Sequence, residues 1–329
     1  GSGLELPEAC IVMEEIHRSG CNGGAAHAQM YTMGTVLRHG SEDQKQKYLP
    51  KIATGELRLQ AFGVSEPNSG TDTLSLQTTA KPQGDGSYIV NGTKLWTSRA
   101  EHSDLMLLLA RTASPEDGTP RRNCLSTFLI DMHEAQKQGK LTIKPIETMI
   151  NHSTCQVFFD ELHIPSSCLV GEEGQGFKYI LSSMNAERIL IASECLGDGR
   201  FFLDRATTYA NERSVFGRKI GQNQGIQFPL AEAYASLEAA SMMVQAASAL
   251  YAAGKDCGPQ ANMAKYLASE AAWAAGEACM QTYGGFGFAT EYDVERKWRE
   301  ARLYKTAPIS SNLILTNIAE KVLGLPRSF

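Results

Sequence analysis

The chain has 329 residues, 43% of them hydrophobic and 20% charged, with a formal net charge of -5, a profile of globular rather than disordered or fibrous proteins. That acidic balance gives no support to a nucleic-acid role, and apolar runs such as Leu105 to Ala110 or Ile189 to Ala192 fall far short of the roughly 20 residues that span a bilayer. The eight cysteines include no Cys-x-x-Cys pair and no cluster with histidine, which argues against zinc and against a disulfide framework and suits a reducing compartment, the cytoplasm or a mitochondrial matrix.

In chain order, Pro7 followed by Ile11, Val12 and Ile16 and closed by Gly20 predicts a short helix, with proline near its start and glycine past its end. Ser41-Glu42-Asp43-Gln44 has the spacing of a capping box and opens a second helix, expected to stop before Pro50. From Arg58 to Val170 the pattern is strand-like. Tyr88-Ile89-Val90 and Leu105 to Leu109 are its apolar runs, Asn91-Gly92 is expected to be a turn between strands, and Thr112 to Asn123 an exposed loop.

Beyond Gly176 alanine and leucine dominate, and apolar residues recur at helical spacing, as in Ile191, Leu196, Phe202 and Ala206. Helices are expected to begin near Phe177, Gln224, Gly258 and Ile309. Ala252-Ala253-Gly254 would end one of them and Gly284-Gly285 interrupt another. The fold class read from this order is α+β: a partial helical part over 1–57, a β domain over 58–172 and a helical bundle over 173–329.

Phe62-Gly63-Val64-Ser65-Glu66-Pro67-Asn68-Ser69-Gly70-Thr71-Asp72 and Asn91-Gly92-Thr93-Lys94-Leu95-Trp96-Thr97-Ser98 resemble the first two signatures of the acyl-CoA dehydrogenases. Glu212-Arg213-Ser214-Val215-Phe216-Gly217 and Gln281-Thr282-Tyr283-Gly284-Gly285-Phe286-Gly287 resemble two more, in family order. The resemblance implies FAD as cofactor, an acyl-CoA thioester as substrate, a homo-oligomer built as a dimer of dimers, and an electron-transfer flavoprotein or similar acceptor. Composition and run length, as above, lead us to expect no nucleic-acid partner and no membrane span. Only the later helices of the family's N-terminal domain have counterparts before Arg58.

On this resemblance Phe62, Val64 and Ser65 lie along the isoalloxazine edge, with Thr71 near the pyrophosphate and the substrate. Small residues in Gly63-Val64-Ser65 suit close approach of a backbone to a planar ring; on its own, Ser-Glu-Pro-Asn-Ser-Gly reads as a surface loop. Trp96 would cover one flavin face and Ser98 would bond near N5, although a strand tryptophan is as often core. Arg213, whose guanidinium suits a phosphate, is placed against the pyrophosphate with Phe216 and Gln224. These three, with Gln281, Gly284 and Gly285, reach the FAD of a neighbouring subunit in the family, and Ser310 and Asn312 also contact the cofactor. The bland alternatives are a surface pairing of Arg213 with Glu212 or Asp204 and a helix terminator at Gly284-Gly285.

Removal of an α-proton calls for a carboxylate. Most family members carry that glutamate near the chain end, and counting back from Ser310-Ser311-Asn312 puts Pro308 at the matching position. The isovaleryl- and long-chain-type members carry it on an earlier helix instead, in an arrangement that Asn185-Ala186-Glu187-Arg188-Ile189-Leu190 matches. Glu187 is therefore the candidate base, with Arg188 toward the CoA phosphates; a rival reading makes Glu187 an exposed first-turn residue. Glu194 is expected to face another way. Two other readings are a flavin oxidase of the acyl-CoA or nitroalkane type, and a DNA-binding relative that keeps the flavin. The latter needs a basic stripe, whereas Arg296, Lys297, Arg299 and Arg302, interleaved with Glu295 and Glu300, suggest a solvated helix face.

Overall fold

A computed structural model describes residues 3–150 and 152–328. By their internal contacts they form two units, one of residues 3–23, 149–150 and 185–328, the other of 24–148 and 152–184.

The second unit is a β-sheet flanked by helices. Helices α2 (Gly24–His39) and α3 (Glu42–Thr54) precede strands β1 (Leu59–Gly63), β2 (Thr79–Pro82), β3 (Tyr88–Ser98), β4 (Leu105–Arg111) and β5 (Leu125–Asp131). A short helix α4 (Met132–Lys137) leads to β6 (Leu141–Pro145), β7 (Thr154–Ile164) and β8 (Leu169–Val170). The strand order is β6-β7-β3-β2-β4-β5-β8, with β1 parallel to β4. Both faces of β4 are buried: Met106, Leu108 and Ala110 pack into one core cluster and Leu105 and Leu107 into another. That two-sided burial explains why β4 reads as an unbroken apolar run.

Two expectations are corrected in this unit. Helix α3 has its capping box, Gln44 N donating to Ser41 Oγ and Ser41 N to Gln44 Oε1, but it runs through Pro50 to Thr54 and ends at Gly55, φ 80. Pro50 and Gln46, whose carbonyl loses its helical donor, are both exposed, so water replaces the bond while buried Ile52 keeps the last turn packed. Asn91-Gly92 is not a turn, because both residues lie inside β3. The pairing with β7 shifts register there, Asn91 Oδ1 accepts from Glu161 N, and Gly92 adopts φ 143. A Cβ on Gly92 would come within 2.5–2.8 Å of Thr78, so the glycine serves a bulge.

The first unit is helical: α1 (Leu6–Arg18), most of α5 (Gly176–Glu212), α6 (Gln224–Ala252), α7 (Gly258–Tyr283), α8 (Val294–Ala301) and α9 (Ser311–Lys321). A small hairpin, β9 (Ser214–Val215) with β10 (Arg218–Lys219), links α5 to α6. Four helix starts agree with the sequence to within two residues, α7 ends at Tyr283 against Gly284, and Gly254 follows α6. No helix among the described residues is long and apolar enough to cross a membrane.

Candidate functional site

In the β unit, six expected site residues cluster in sequence around the end of β1 and the second half of β3. Gly63 closes β1 against the Lys94 stem, where a Cβ would come within 3.5 Å of Lys94 Cγ and 3.1 Å of Leu108 Cδ1. The chain then leaves the sheet through half-buried Val64 and Ser65, and Leu95 N donates to Ser65 O at 2.8 Å. Phe62 is half-buried and packs edge-on against Tyr31. Glu66 and Ser69 exchange backbone hydrogen bonds across the tip of the loop, and Thr71 is exposed just beyond it. Ser98 Oγ is hydrogen-bonded to His152 Nε2 at 2.7 Å.

Trp96 is not core. Its side chain is 56% exposed and its φ is 59, a left-handed conformation that disfavours bulky side chains by about 1–3 kcal/mol. The β3–β7 register shifts between Lys94 and Thr97, and that bulge turns the indole outward. An exposed, strained, flat aromatic beside a loop of small residues is the form a planar ligand needs.

Beneath the loop, Lys94 is fully buried. Its Nζ donates to Val64 O at 3.0 Å and to Glu66 Oε1 at 2.8 Å. The Glu66 carboxylate also accepts from Gln77 N at 2.6 Å and Thr78 N at 2.9 Å. Burial pulls the Lys94 ammonium down to about 8 in spite of its carboxylate partner.

In the helical unit, Tyr209, Arg213, Val215, Ile220, Gly284 and Phe286 are among the residues lining a groove of about 570 Å³. Arg213 is exposed and its guanidinium lies 5.6 Å from the Phe286 ring centre, so it is not simply a partner of Glu212 or Asp204. Gly285 and Gly284 line the groove with open space where a Cβ would be. Gly284 has φ 58 and closes α7, but neither crowding nor a positive φ within this chain accounts for Gly285. Phe216, Gln224 and Gln281 each neighbour a lining residue, Val215, Asn223 and Thr282, and all three are exposed. Phe216 is fully exposed at the hairpin tip, where φ 52, followed by φ 78 at Gly217, is a turn that favours Asn-Gly.

Glu187 is 6% exposed, well inside α5, which removes the exposed first-turn reading. Arg188 is half-buried and donates to Asn185 Oδ1 at 2.9 Å, and its Nε is buried without a hydrogen-bond partner. Burial lowers its pKa from the ordinary value. Pro308 lies in the bend before α9, where Ile309 O accepts from the fully buried Lys265 Nζ at 2.9 Å. Ser310 caps α9 by accepting from Leu313 N, and Asn312 is exposed in its first turn.

Glu194 follows Glu187 by seven residues, two helical turns, so the two share a side of α5 and the expected divergence is corrected. Glu194 Oε2 accepts from Tyr304 OH at 2.8 Å and lies 3.5 Å from His17 Nε2. One turn on, Asp198 Oδ1 meets His17 Nδ1 at 2.8 Å and Lys297 Nζ at 2.7 Å, with all three residues at most 1% exposed. The basic cluster is therefore not a solvated face. Lys297 is internal, Arg296 pairs with Asp293 and Glu300, and Arg299 pairs with Glu295. Arg302, the fourth residue of the cluster, is exposed and donates to Thr306 Oγ1. Nothing in the helical pattern marked this internal network except polar residues at positions where α5 is otherwise apolar.

Family models match the chain in three parts: the acyl-CoA dehydrogenase N-terminal domain over residues 1–56, the middle domain over 61–162 and the C-terminal domain over 174–323. An acyl-CoA dehydrogenase of Bacillus subtilis is 34% identical over 98% of this chain and 84% of its own. Butyryl-CoA dehydrogenase of Megasphaera elsdenii superimposes with TM-score 0.90 at 27% identity, covering 98% of this chain and 83% of that one. A glutaryl-coenzyme A dehydrogenase in complex with glutaryl-CoA does so with TM-score 0.88 at 30% identity, covering 100% and 82%. The chain belongs to the acyl-CoA dehydrogenase family, and its fold is that family's arrangement of N-terminal helices, middle β domain and C-terminal helices.

Proposed function

We propose that this chain is an FAD-dependent dehydrogenase that oxidises the α,β bond of an acyl-CoA thioester. The observation that carries the reading is a buried carboxylate, Glu187, on the helix that supplies the base in the isovaleryl- and long-chain-type members, paired with a proline at the position most members use. The residues present fit the cofactor. The Val64-Ser65 backbone and Ser65 hydroxyl suit the ring edge, Trp96 one ring face, Ser98 the region of N5, and Thr71 the pyrophosphate. Arg213, Phe216, Gln224, Gln281, Gly284 and Gly285 suit FAD from a second copy of the chain, which makes the working form an oligomer, and Ser310 and Asn312 complete the set. When bound, FAD supplies the acceptor for the two electrons that leave the β-carbon.

Glu187 takes the α-proton onto its carboxylate, and its burial keeps water from competing for that oxygen. Arg188 offers a poorly solvated cation toward the CoA phosphates. Trp96 covers the ring and excludes water from it. Pro308 has no N–H to donate to the thioester oxygen. Losing one such donor costs roughly 3 kcal/mol of transition-state stabilisation, about 100-fold in rate, so the site favours acyl groups whose α-proton is already acidified by a polar or activating substituent. Electrons would pass on to an electron-transfer flavoprotein or similar acceptor.

The test is anaerobic mixing of FAD-loaded protein with a panel of acyl-CoAs, followed by flavin bleaching. Bleaching that is fastest with activated or polar acyl groups is expected, and equal rates with simple saturated acyl-CoAs would remove the substrate preference. Rapid oxygen consumption in air would make the protein an oxidase.

A further inference from the structure

The Gly63–Glu66 loop is tied to β3 from behind by three hydrogen bonds: Lys94 Nζ to Val64 O, Lys94 Nζ to Glu66 Oε1, and Leu95 N to Ser65 O. Glu66 extends the tie to the start of β2 through Gln77 N and Thr78 N. Glu66 also closes the turn with Ser69 that leads to Thr71. On the β3 side, the bulge that turns Trp96 outward begins at Lys94. One buried ion pair thus joins the segment proposed for the flavin edge to the residue proposed for the flavin face, and touches neither surface itself.

We propose that Lys94, through its pair with Glu66, is a positioning residue that holds the Val64-Ser65 edge and the Trp96 face as one rigid cradle. The inference rests on the flavin reading above. A loop attached only by its own backbone would sample other conformations, and a ligand that must order it binds less tightly in proportion to the competent fraction. The pair removes that loss by fixing the cradle before FAD arrives. Its interior position suits this role, because a buried pair is little screened and exchanges little with water.

Removing one partner alone leaves a buried charge and threatens the fold, so the deciding protein is the double variant Lys94→Met with Glu66→Gln. This variant is electrically neutral and keeps an acceptor for Thr78 N. Its unfolding transition, its FAD dissociation constant and the visible circular dichroism of its bound flavin are compared with those of the wild type. The expected result is a cooperative transition like the wild type's, at least about 10-fold weaker FAD binding and a changed visible dichroism, corresponding to a competent fraction of about a tenth or less. A folded double variant with wild-type affinity and dichroism overturns the proposal. Loss of its unfolding transition does so too, by assigning the pair to the fold. A wild type that takes up no FAD instead sinks the flavin reading itself.

Discussion

Trp96 shows how a single position reports on function. An exposed indole at φ 59 is unfavourable for the chain alone, and the proposed stacking on a flavin would account for it. Trp96→Gly is therefore expected to leave the apoprotein as stable as the wild type or up to about 1 kcal/mol more stable, while FAD binds more weakly. Thermal unfolding with and without FAD checks this, and a less stable apoprotein would return Trp96 to the core. Lys94 gives a second residue-scale expectation. Its folded value is about 8 against 10.5 for the free side chain, so between those values the unfolded chain binds more protons and this group's contribution to stability rises with pH; below about 8 its burial cost is present in full. Urea unfolding of wild type and of the double variant Lys94→Met with Glu66→Gln at pH about 7 and about 10 should show the difference moving in the wild type's favour at the higher pH. A constant difference would contradict the assignment.

Among the elements, α5 carries two kinds of burial. Its apolar residues fill the bundle, and Glu187, Glu194 and Asp198 recur along one side, the latter two ending on His17, Tyr304 and Lys297. The helix starts were legible because apolar spacing, proline and glycine mark them locally. The internal network was not, because a lysine paired across 99 residues looks like any surface lysine until the helices are packed. For the same reason the arginine- and lysine-rich helix α8 reads as solvated from its charges alone. Asn91-Gly92 failed differently: the dipeptide that favours a turn also favours a bulge, and only the pairing with β7 decides. Lys297→Met should destabilise the fold by about 3–5 kcal/mol, since Asp198 would stay buried without its lysine partner. Chemical denaturation measures it, and a loss below about 1 kcal/mol would show that the network relaxes to water.

At the scale of the whole molecule, the family motifs were legible because each is a short contiguous run of residues, readable without knowing how the chain packs. The proposed base position rests on two departures, a proline at 308 and a glutamate at 187. What each buried polar residue touches required the three-dimensional arrangement. The helical unit leaves Phe216, Phe228, Tyr234, Met242, Phe286 and Phe288 exposed, more large apolar surface than isolated side chains account for. A homo-oligomer is expected in sedimentation, with Phe216→Ser weakening FAD retention while the monomer's secondary structure is unchanged; a monomeric protein that retains FAD would contradict this reading. The central claim is that Glu187 removes the α-proton. FAD-loaded wild type and Glu187→Gln, mixed anaerobically with the acyl-CoA that bleaches the wild type fastest, decide it. The account predicts bleaching slowed by about 10²–10⁴-fold with FAD content unchanged, and bleaching at the wild-type rate in the variant would contradict it.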